Sequence, residues 1–102
     1  MEPIRVMSET VKYQEGAVVS STIVNKNNGT VTMFAFDEGQ GLSEHTSPYD
    51  ALAYILDGGV EIKIAGEPHK LNAGETLLMP ANKPHALKAL TKFKMLLIMI
   101  KS

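Results

Sequence analysis

The sequence predicts an all-β protein, a sandwich or a barrel of about eight short strands, and three observations support this fold class. The apolar runs are all short, and turn residues interrupt them roughly every eight to twelve residues. No segment shows the sustained 3.6-residue period of an amphipathic helix. Closing the sheet into a barrel would also remove the free strand edges that a chain of 102 residues otherwise exposes.

The first half of the chain contains three predicted strands. Residues 17–24 mix Val, Ile, Ser and Thr, which favours a strand, and an Asn-Asn-Gly turn leads to the strand-like run at 30–36. Residues 37–48 are polar and rich in turn formers, so they predict a long connection. Residues 51–56 are apolar and end at an Asp-Gly-Gly turn, which is typical of a buried strand.

The second half contains five more predicted strands, and all of them are short. Residues 60–65 alternate apolar and polar side chains, the pattern of a half-buried strand. A Gly-Glu-Pro turn precedes a short strand at 69–71, and an Asn-Ala-Gly turn follows it. The strand at 76–79 stops at a proline, and the last two strands are predicted at 85–90 and 93–100.

Composition excludes several classes of partner. Ten Lys and Arg residues stand against eleven Asp and Glu residues, so we expect neither a nucleic-acid nor a membrane partner. The longest apolar run, 95–100, is far shorter than the roughly 20 residues that span a bilayer. Cysteine is absent, which excludes disulfides and thiolate ligands. With no secretory signal pattern at 1–10, we expect a cytoplasmic protein whose residues 1–102 form one domain.

Two spaced sets of residues in the middle of the chain resemble the two motifs of the cupin superfamily. The resemblance covers residues 39–89, with motif 1 at 39–58 and motif 2 at 74–89. It implies a small single-domain cupin with a double-stranded β-helix, or jelly-roll, barrel. The residues in the two frames are Gly39, His45, Ser47, Ala51 and Gly58, followed by Gly74, Pro80, Asn82, His85 and Ala89.

The resemblance also implies a metal site, which this chain keeps only in part. In cupins, histidines and a carboxylate of one sheet converge with a histidine of the facing sheet on a transition metal. Here His45 and His85 occupy retained ligand positions, so we expect both rings to point into the barrel from facing sheets. Ser47 and Ala51 replace the other histidine and the carboxylate. Because two imidazoles alone make a weak site, we expect Zn, Ni, Mn or Fe to bind weakly or not at all.

The hypothesis that follows is a small-molecule binding site in the barrel without a tightly bound catalytic metal. The small side chains of the 51–56 strand leave room for a pocket, and methionines adapt to varied apolar ligands. One alternative is a metal-dependent isomerase, dioxygenase or sugar-processing enzyme that uses the two histidines. Another is a structural or sensory dimer without a ligand. The candidate ligand-binding residues are His45, His85, Ser47, Tyr49, Ala51, Met33 and Met95.

Alternation along the 51–56 strand predicts a homodimer. With Ala51 facing the barrel interior, Leu52, Tyr54 and Leu56 face outward, and this apolar outer face needs a cover. The cover is either the N-terminal segment, residues 1–25, or a second copy of the chain. We expect the second copy, as the resemblance to small cupins implies.

Overall fold

Residues 4–101 are described by a computed structural model, and these residues form nine β-strands preceded by one short 3-10 helix. The all-β class that the sequence predicts is confirmed. Within this part of the chain no helix is long and apolar enough to cross a membrane. The elements are the 3-10 helix Met7–Glu9, β1 Val18–Lys26, β2 Gly29–Phe36, β3 Gly41–His45, β4 Asp50–Asp57, β5 Gly59–Ile64, β6 Glu67–Asn72, β7 Thr76–Met79, β8 His85–Ala89 and β9 Phe93–Ile100.

The strands form two antiparallel sheets that face each other across one apolar interior. The larger sheet has five strands in the order β1-β2-β9-β4-β7, and the smaller has four in the order β3-β8-β5-β6. Side chains from both sheets meet in a single core cluster. The Phe36 and Phe93 rings stack in this core with centroids 4.5 Å apart. This arrangement is that of a jelly-roll barrel.

Strand β3 is the element that the sequence analysis missed, because residues 37–48 were predicted as a connection. β3 lies at the edge of the smaller sheet, and its sequence is mostly polar. Its pairing with β8 sets its course: Leu42 is opposite Leu87, and His45 is opposite His85, with a register shift between the two pairs. A short, bulged edge strand lacks the alternation by which strands are found in a sequence.

The alternation predicted for β4 is confirmed. Ala51, Ala53 and Ile55 are buried in the interior, whereas Tyr54 on the outer face is 38% exposed. Residues that alternate along a strand point to opposite faces of its sheet. The outer face of the larger sheet therefore needs a cover, as the sequence predicts.

The N-terminal strap, defined here as residues 7–13, covers one half of that outer face. Val11 is buried in a second cluster that also contains Met33, Ala35 and the partly buried Leu56 and Leu96. Two polar contacts fasten the strap at its ends. The Tyr13 hydroxyl donates to the carboxylate of Asp57, and the Lys94 ammonium donates to the carbonyl of Ser8 at 2.6 Å.

The other half of the outer face carries a line of apolar side chains, one from each strand of the larger sheet. Residues in register on neighbouring strands share a face, so these side chains form one continuous row. Leu78, at one end of the row, is 56% exposed. We call this line the apolar row, and it consists of Val24, Val31, Ile98, Leu52 and Leu78.

Candidate functional site

Four strand ends and two loops meet at one end of the barrel, which we call the mouth. The two loops are tied together by backbone donors. The Asn82 N–H donates to the carbonyl of Ser47 at 2.7 Å, and the Ala81 N–H donates to the carboxylate of Asp50 at 2.9 Å. Asn82 adopts a left-handed backbone with φ of 65°, which asparagine tolerates better than most residues. The mouth consists of residues 45–51 and 79–85.

His45 and His85 lie side by side in the mouth as cross-strand neighbours. Their ring centroids are 4.3 Å apart, and the rings meet edge to face at 66°. The expectation that they come from facing sheets is wrong, because β3 and β8 pair within the smaller sheet. The structure nevertheless brings the two rings together, as the sequence predicts.

The bulge in β3 explains how both rings share one face. On β8, His85 alternates with the buried Leu87, so its ring points to the interior side of the sheet. On β3, the extra residue between Leu42 and His45 restores the inward direction at His45. His85 is 7% exposed, and it is the one polar residue classed as buried in the described part of the chain. His45, on the edge strand, is exposed.

The backbone fixes which nitrogen of each ring carries the proton. Nδ1 of His45 lies 2.8 Å from the carbonyl oxygen of Ser43, and Nδ1 of His85 lies 3.3 Å from that of Lys83. A carbonyl oxygen only accepts, so Nδ1 is the donor in both rings. In the neutral imidazole the other nitrogen, Nε2, is then a free acceptor. Each histidine, in its neutral form, therefore keeps an Nε2 lone pair that can accept a hydrogen bond.

Burial keeps His85 in its neutral form. Loss of solvent lowers the pKa of His85 below the ordinary value of 6.5, and the neighbouring His45 lowers it further. The bond to the Lys83 carbonyl opposes this shift, but the downward direction prevails. At neutral pH the His85 ring is therefore an acceptor at Nε2.

Three of the other predicted site residues also lie in the mouth. The Ser47 hydroxyl accepts the N–H of Tyr49 at 3.2 Å, so it holds the turn between β3 and β4. The Lys101 ammonium lies over the Tyr49 ring, 4.9 Å from its centroid. Ala51 is buried and stands in register between Met79 and Met99 on the neighbouring strands.

The two predicted methionines lie away from the mouth. Met95 is buried in the interior opposite Ile55, four residues along β4 from Ala51, so it lines the barrel at a deeper level. Met33 is on the outer face of β2 and packs in the second cluster beside Val11. Its assignment to the barrel pocket was therefore wrong. The methionines beside Ala51 are Met79 and Met99, and only the strand register identifies them.

The residues present do not fit a tight divalent metal site. Within residues 4–101 no three His, Cys, Asp or Glu side chains are grouped so that they could hold a metal ion. The Asp50 carboxylate accepts the Ala81 N–H, and the side chain at Ala51 is a methyl group. Two imidazoles without a carboxylate leave the charge of a divalent ion uncompensated.

Two antiparallel sheets around one interior, with two imidazoles at the mouth of the smaller sheet, define a small jelly-roll barrel protein. A family model described as a cupin domain matches residues 32–101, and the chain belongs to the cupin family. Members of this family bind small molecules or metals.

Several known proteins resemble the chain over most of its length. A conserved protein of unknown function from Streptococcus pyogenes is 36% identical with a TM-score of 0.93, and the match covers 97% of this chain and 87% of that one. A cupin 2 conserved barrel domain protein from Leptotrichia buccalis is 42% identical with a TM-score of 0.90, covering 92% of this chain and 46% of that one. Protein SchB of Streptomyces halstedii is 27% identical over 73 residues, which are 71% of this chain. The chain spans about half the length of SchB, 53%.

Proposed function

We propose that this protein binds a small organic molecule in the mouth of the barrel and holds no tightly bound divalent metal there. The observation that supports the proposal is the pair of neighbouring imidazoles, each held by a backbone carbonyl with its Nε2 free. Residues oriented in this way lose little conformational freedom when a ligand binds. A few convergent polar groups beside an apolar wall are typical of small-molecule sites.

Binding of a fragment library, followed by NMR of the 15N-labelled protein, tests this proposal. Fragments that bind in the mouth should shift the backbone signals of residues 45–51 and 79–85. The variant His85→Phe should lose this binding because Phe has no acceptor nitrogen, while its ring preserves the packing. His69→Phe, on β6 away from the mouth, is the matched control and should retain it. A library that leaves the mouth signals unchanged contradicts the proposal.

A metal-dependent enzyme is the second candidate, and one observation favours it. Histidines that bind metals commonly donate their other ring N–H to a carbonyl, as both histidines do here. Calorimetry with Zn²⁺, Ni²⁺ and Mn²⁺ separates the two candidates. We expect weak or no binding by the native chain and tight binding by Ser47→His with Ala51→Glu, which completes the ligand set. Submicromolar binding by the native chain would favour the enzyme.

We also propose that the protein is a homodimer that pairs through the apolar row and Tyr54. The support is the row itself, which crosses all five strands beside the strap and remains partly exposed. An apolar patch rimmed by polar residues often marks an interface. We propose as well that the protein is cytoplasmic, which the absence of cysteine supports. Residues 1–102 form a single domain in this proposal, and the core that both sheets share supports it.

Light scattering at micromolar concentration tests the dimer. The variant Tyr54→Glu places an unpaired charge in the proposed interface and should give the monomer mass. Lys70→Glu, on the exposed edge strand β6, is the control and should leave the mass unchanged. A monomeric native chain contradicts the dimer, whereas a dimer in which no ligand binds favours a structural or sensory role.

A further inference from the structure

Within residues 4–101, two apolar surfaces remain exposed in each copy of the proposed homodimer. One is the apolar row, and the other is the segment of residues 4–6 that leads into the strap, which we call the arm. We propose that the arm of each chain docks on the apolar row of its partner. This inference rests on the dimer proposed above and names the segment by which each copy holds the other.

The exposed large apolar side chains are concentrated on the arm and on the outer face of the larger sheet. In the described part of the chain Leu90, between β8 and β9, is the only one that lies elsewhere. The others are Ile4 and Val6 in the arm and Val24, Tyr54, Leu78 and Ile100 on the sheet. Single exposed apolar side chains are normal, whereas a concentration of them marks an interaction site.

The arm projects from its own chain instead of packing on it. Ile4 is 86% exposed and Val6 is 59% exposed. The backbone at Val6 is extended, with φ of −85° and ψ of 114°. Side chains two residues apart along an extended segment point to the same side, so an extended arm presents Ile4 and Val6 together, with Arg5 on the opposite side. These two apolar side chains are free to pack on another surface.

A cleft of about 430 Å³ adjoins the arm and gives a partner side chain a place to enter. Its lining is partly apolar and partly charged, and consists of Ile4, Arg5, Val6, Glu9 and Thr10. Leu78 is 56% exposed, which makes it the most exposed member of the apolar row. We expect the partner's row to seat a side chain of this kind beside Ile4 and Val6.

The strap limits where a second copy can pack and brings the arm within reach of it. The strap covers one half of the outer face, so the partner's sheet can pack only over the half that carries the apolar row. Packed sheets lie about 10 Å apart, and three extended residues also span about 10 Å. The arm is therefore long enough to pass from its own strap to the facing sheet. In a two-fold dimer the second arm makes the same contact with the first chain.

The charges beside the two surfaces favour a second copy of this chain as the partner. The line of residues next to the apolar row has Lys26 at one edge and Asp50 at the other, and both are exposed. The arm and the cleft carry Arg5 and Glu9. Each surface thus has one charge of each sign, which matches a surface of mixed charge and offers no basic patch to a nucleic acid or an anionic membrane.

Spin labelling between copies tests the inference directly, because the chain has no cysteine of its own. Ile4→Cys carrying a nitroxide is unfolded and refolded together with ¹⁵N-labelled native chain, so that only contact between copies broadens the observed signals. We expect the backbone signals of the apolar row to broaden. Leu90→Cys with the same label is the matched control, since Leu90 is also exposed and apolar, and it should leave these signals sharp.

Sedimentation equilibrium measures the contribution of the arm. Ile4→Asp with Val6→Asp should raise the dissociation constant of the dimer roughly tenfold or more, because each charge would be buried against the apolar row. Leu90→Asp should leave the constant unchanged. Urea unfolding of the arm variant should match that of the native protein at equal monomer population, because both side chains are exposed within their own chain.

The outcomes separate this inference from the proposed homodimer. If the native chain is a dimer but the row signals stay sharp, or the arm variant keeps the native dissociation constant, the inference is overturned and the dimer stands. Broadening that appears only when the label and ¹⁵N are in the same chain overturns it as well, because the arm then docks on its own sheet. A native chain that is monomeric at micromolar concentration contradicts the dimer and the inference together.

Discussion

The two sheets of this barrel share one interior but differ on their outer faces and in their chemistry. The larger sheet is apolar on both sides, with the core on one face and the strap and the apolar row on the other. The smaller sheet is apolar on the inside only. On its outer face Glu61 and Lys63 alternate along β5, and Lys88 of β8 is in register with Glu61. The smaller sheet also supplies both imidazoles of the candidate site.

This difference separates two tasks within a small chain. A polar outer face lets the smaller sheet stand in water, so its edge can carry exposed polar residues such as His45. The apolar outer face of the larger sheet requires a cover, which the strap supplies over one half and which we propose a second copy of the chain supplies over the other. The larger sheet contributes an apolar wall to the site, and the smaller sheet contributes its hydrogen-bonding atoms.

The largest expected effect compares one isoleucine from each sheet. Ile55 on β4 and Ile62 on β5 are both fully buried, so either change to Ala should lower the free energy of unfolding by about 2–5 kcal/mol. Only Ile62→Ala should also shift the ring signals of His45 and His85, because Ile62 is opposite Leu87 on the strand that holds His85. Urea unfolding and NMR measure the two effects. If both variants shifted these ring signals equally, the two sheets would not differ in how closely their cores are coupled to the candidate site.

A smaller effect is expected at the strap. Val11→Ala removes two buried methyl groups and should cost about 1–2 kcal/mol of stability, at about 0.8 kcal/mol for each group. The variant should leave the histidine ring signals and ligand binding unchanged because the strap packs on the outer face of the larger sheet. Urea unfolding gives the cost, and a change at the mouth would show that the two faces are coupled.

The smallest expected effect is a dependence of stability on pH. Burial lowers the pKa of His85 in the folded protein below 6.5, so the unfolded chain binds more protons as the pH falls through this region. The contribution of neutral His85 to the free energy of unfolding is fully present above pH 6.5. It is lost as the pH decreases toward the pKa of His85 in the folded protein. Unfolding curves of the native protein and of His85→Phe should show a steeper loss in the native protein. If the stability of the two proteins changed with pH in parallel, the lowered pKa of His85 would be contradicted.

Much of the fold could be predicted because its signals are local. The resemblance to cupins implied the inward direction of Ala51, alternation in β4 extended it to Ala53 and Ile55, and the burial of all three confirms it. The glycine frame of motif 1 also has a local cause at Gly58, whose φ of 74° lies in the left-handed region that favours glycine. A position whose backbone requires glycine can be recognised in a single sequence, because the glycine itself stands there.

The parts that were missed depend on contacts between distant segments. β3 becomes a strand through its pairing with β8, and Met33, which alternation along β2 turns outward, is buried because the strap covers that side of the sheet. The strap, with Val11 at its centre, has no periodic pattern that would predict its docking. The tautomers of the two histidines depend on carbonyls two residues earlier in the chain, and only the folded backbone fixes the direction of those carbonyls.

The most direct test of the candidate site is a long-range ¹H–¹⁵N correlation spectrum of the histidine side chains at neutral pH, without ligand. Assignment uses His45→Phe and His85→Phe, and His69 serves as the internal reference. We expect the His85 ring to be protonated at Nδ1 and bare at Nε2, and the neutral form of His45 to show the same pattern. A proton on Nε2 of neutral His45 or His85 would contradict the account, because that ring would offer a donor to the mouth.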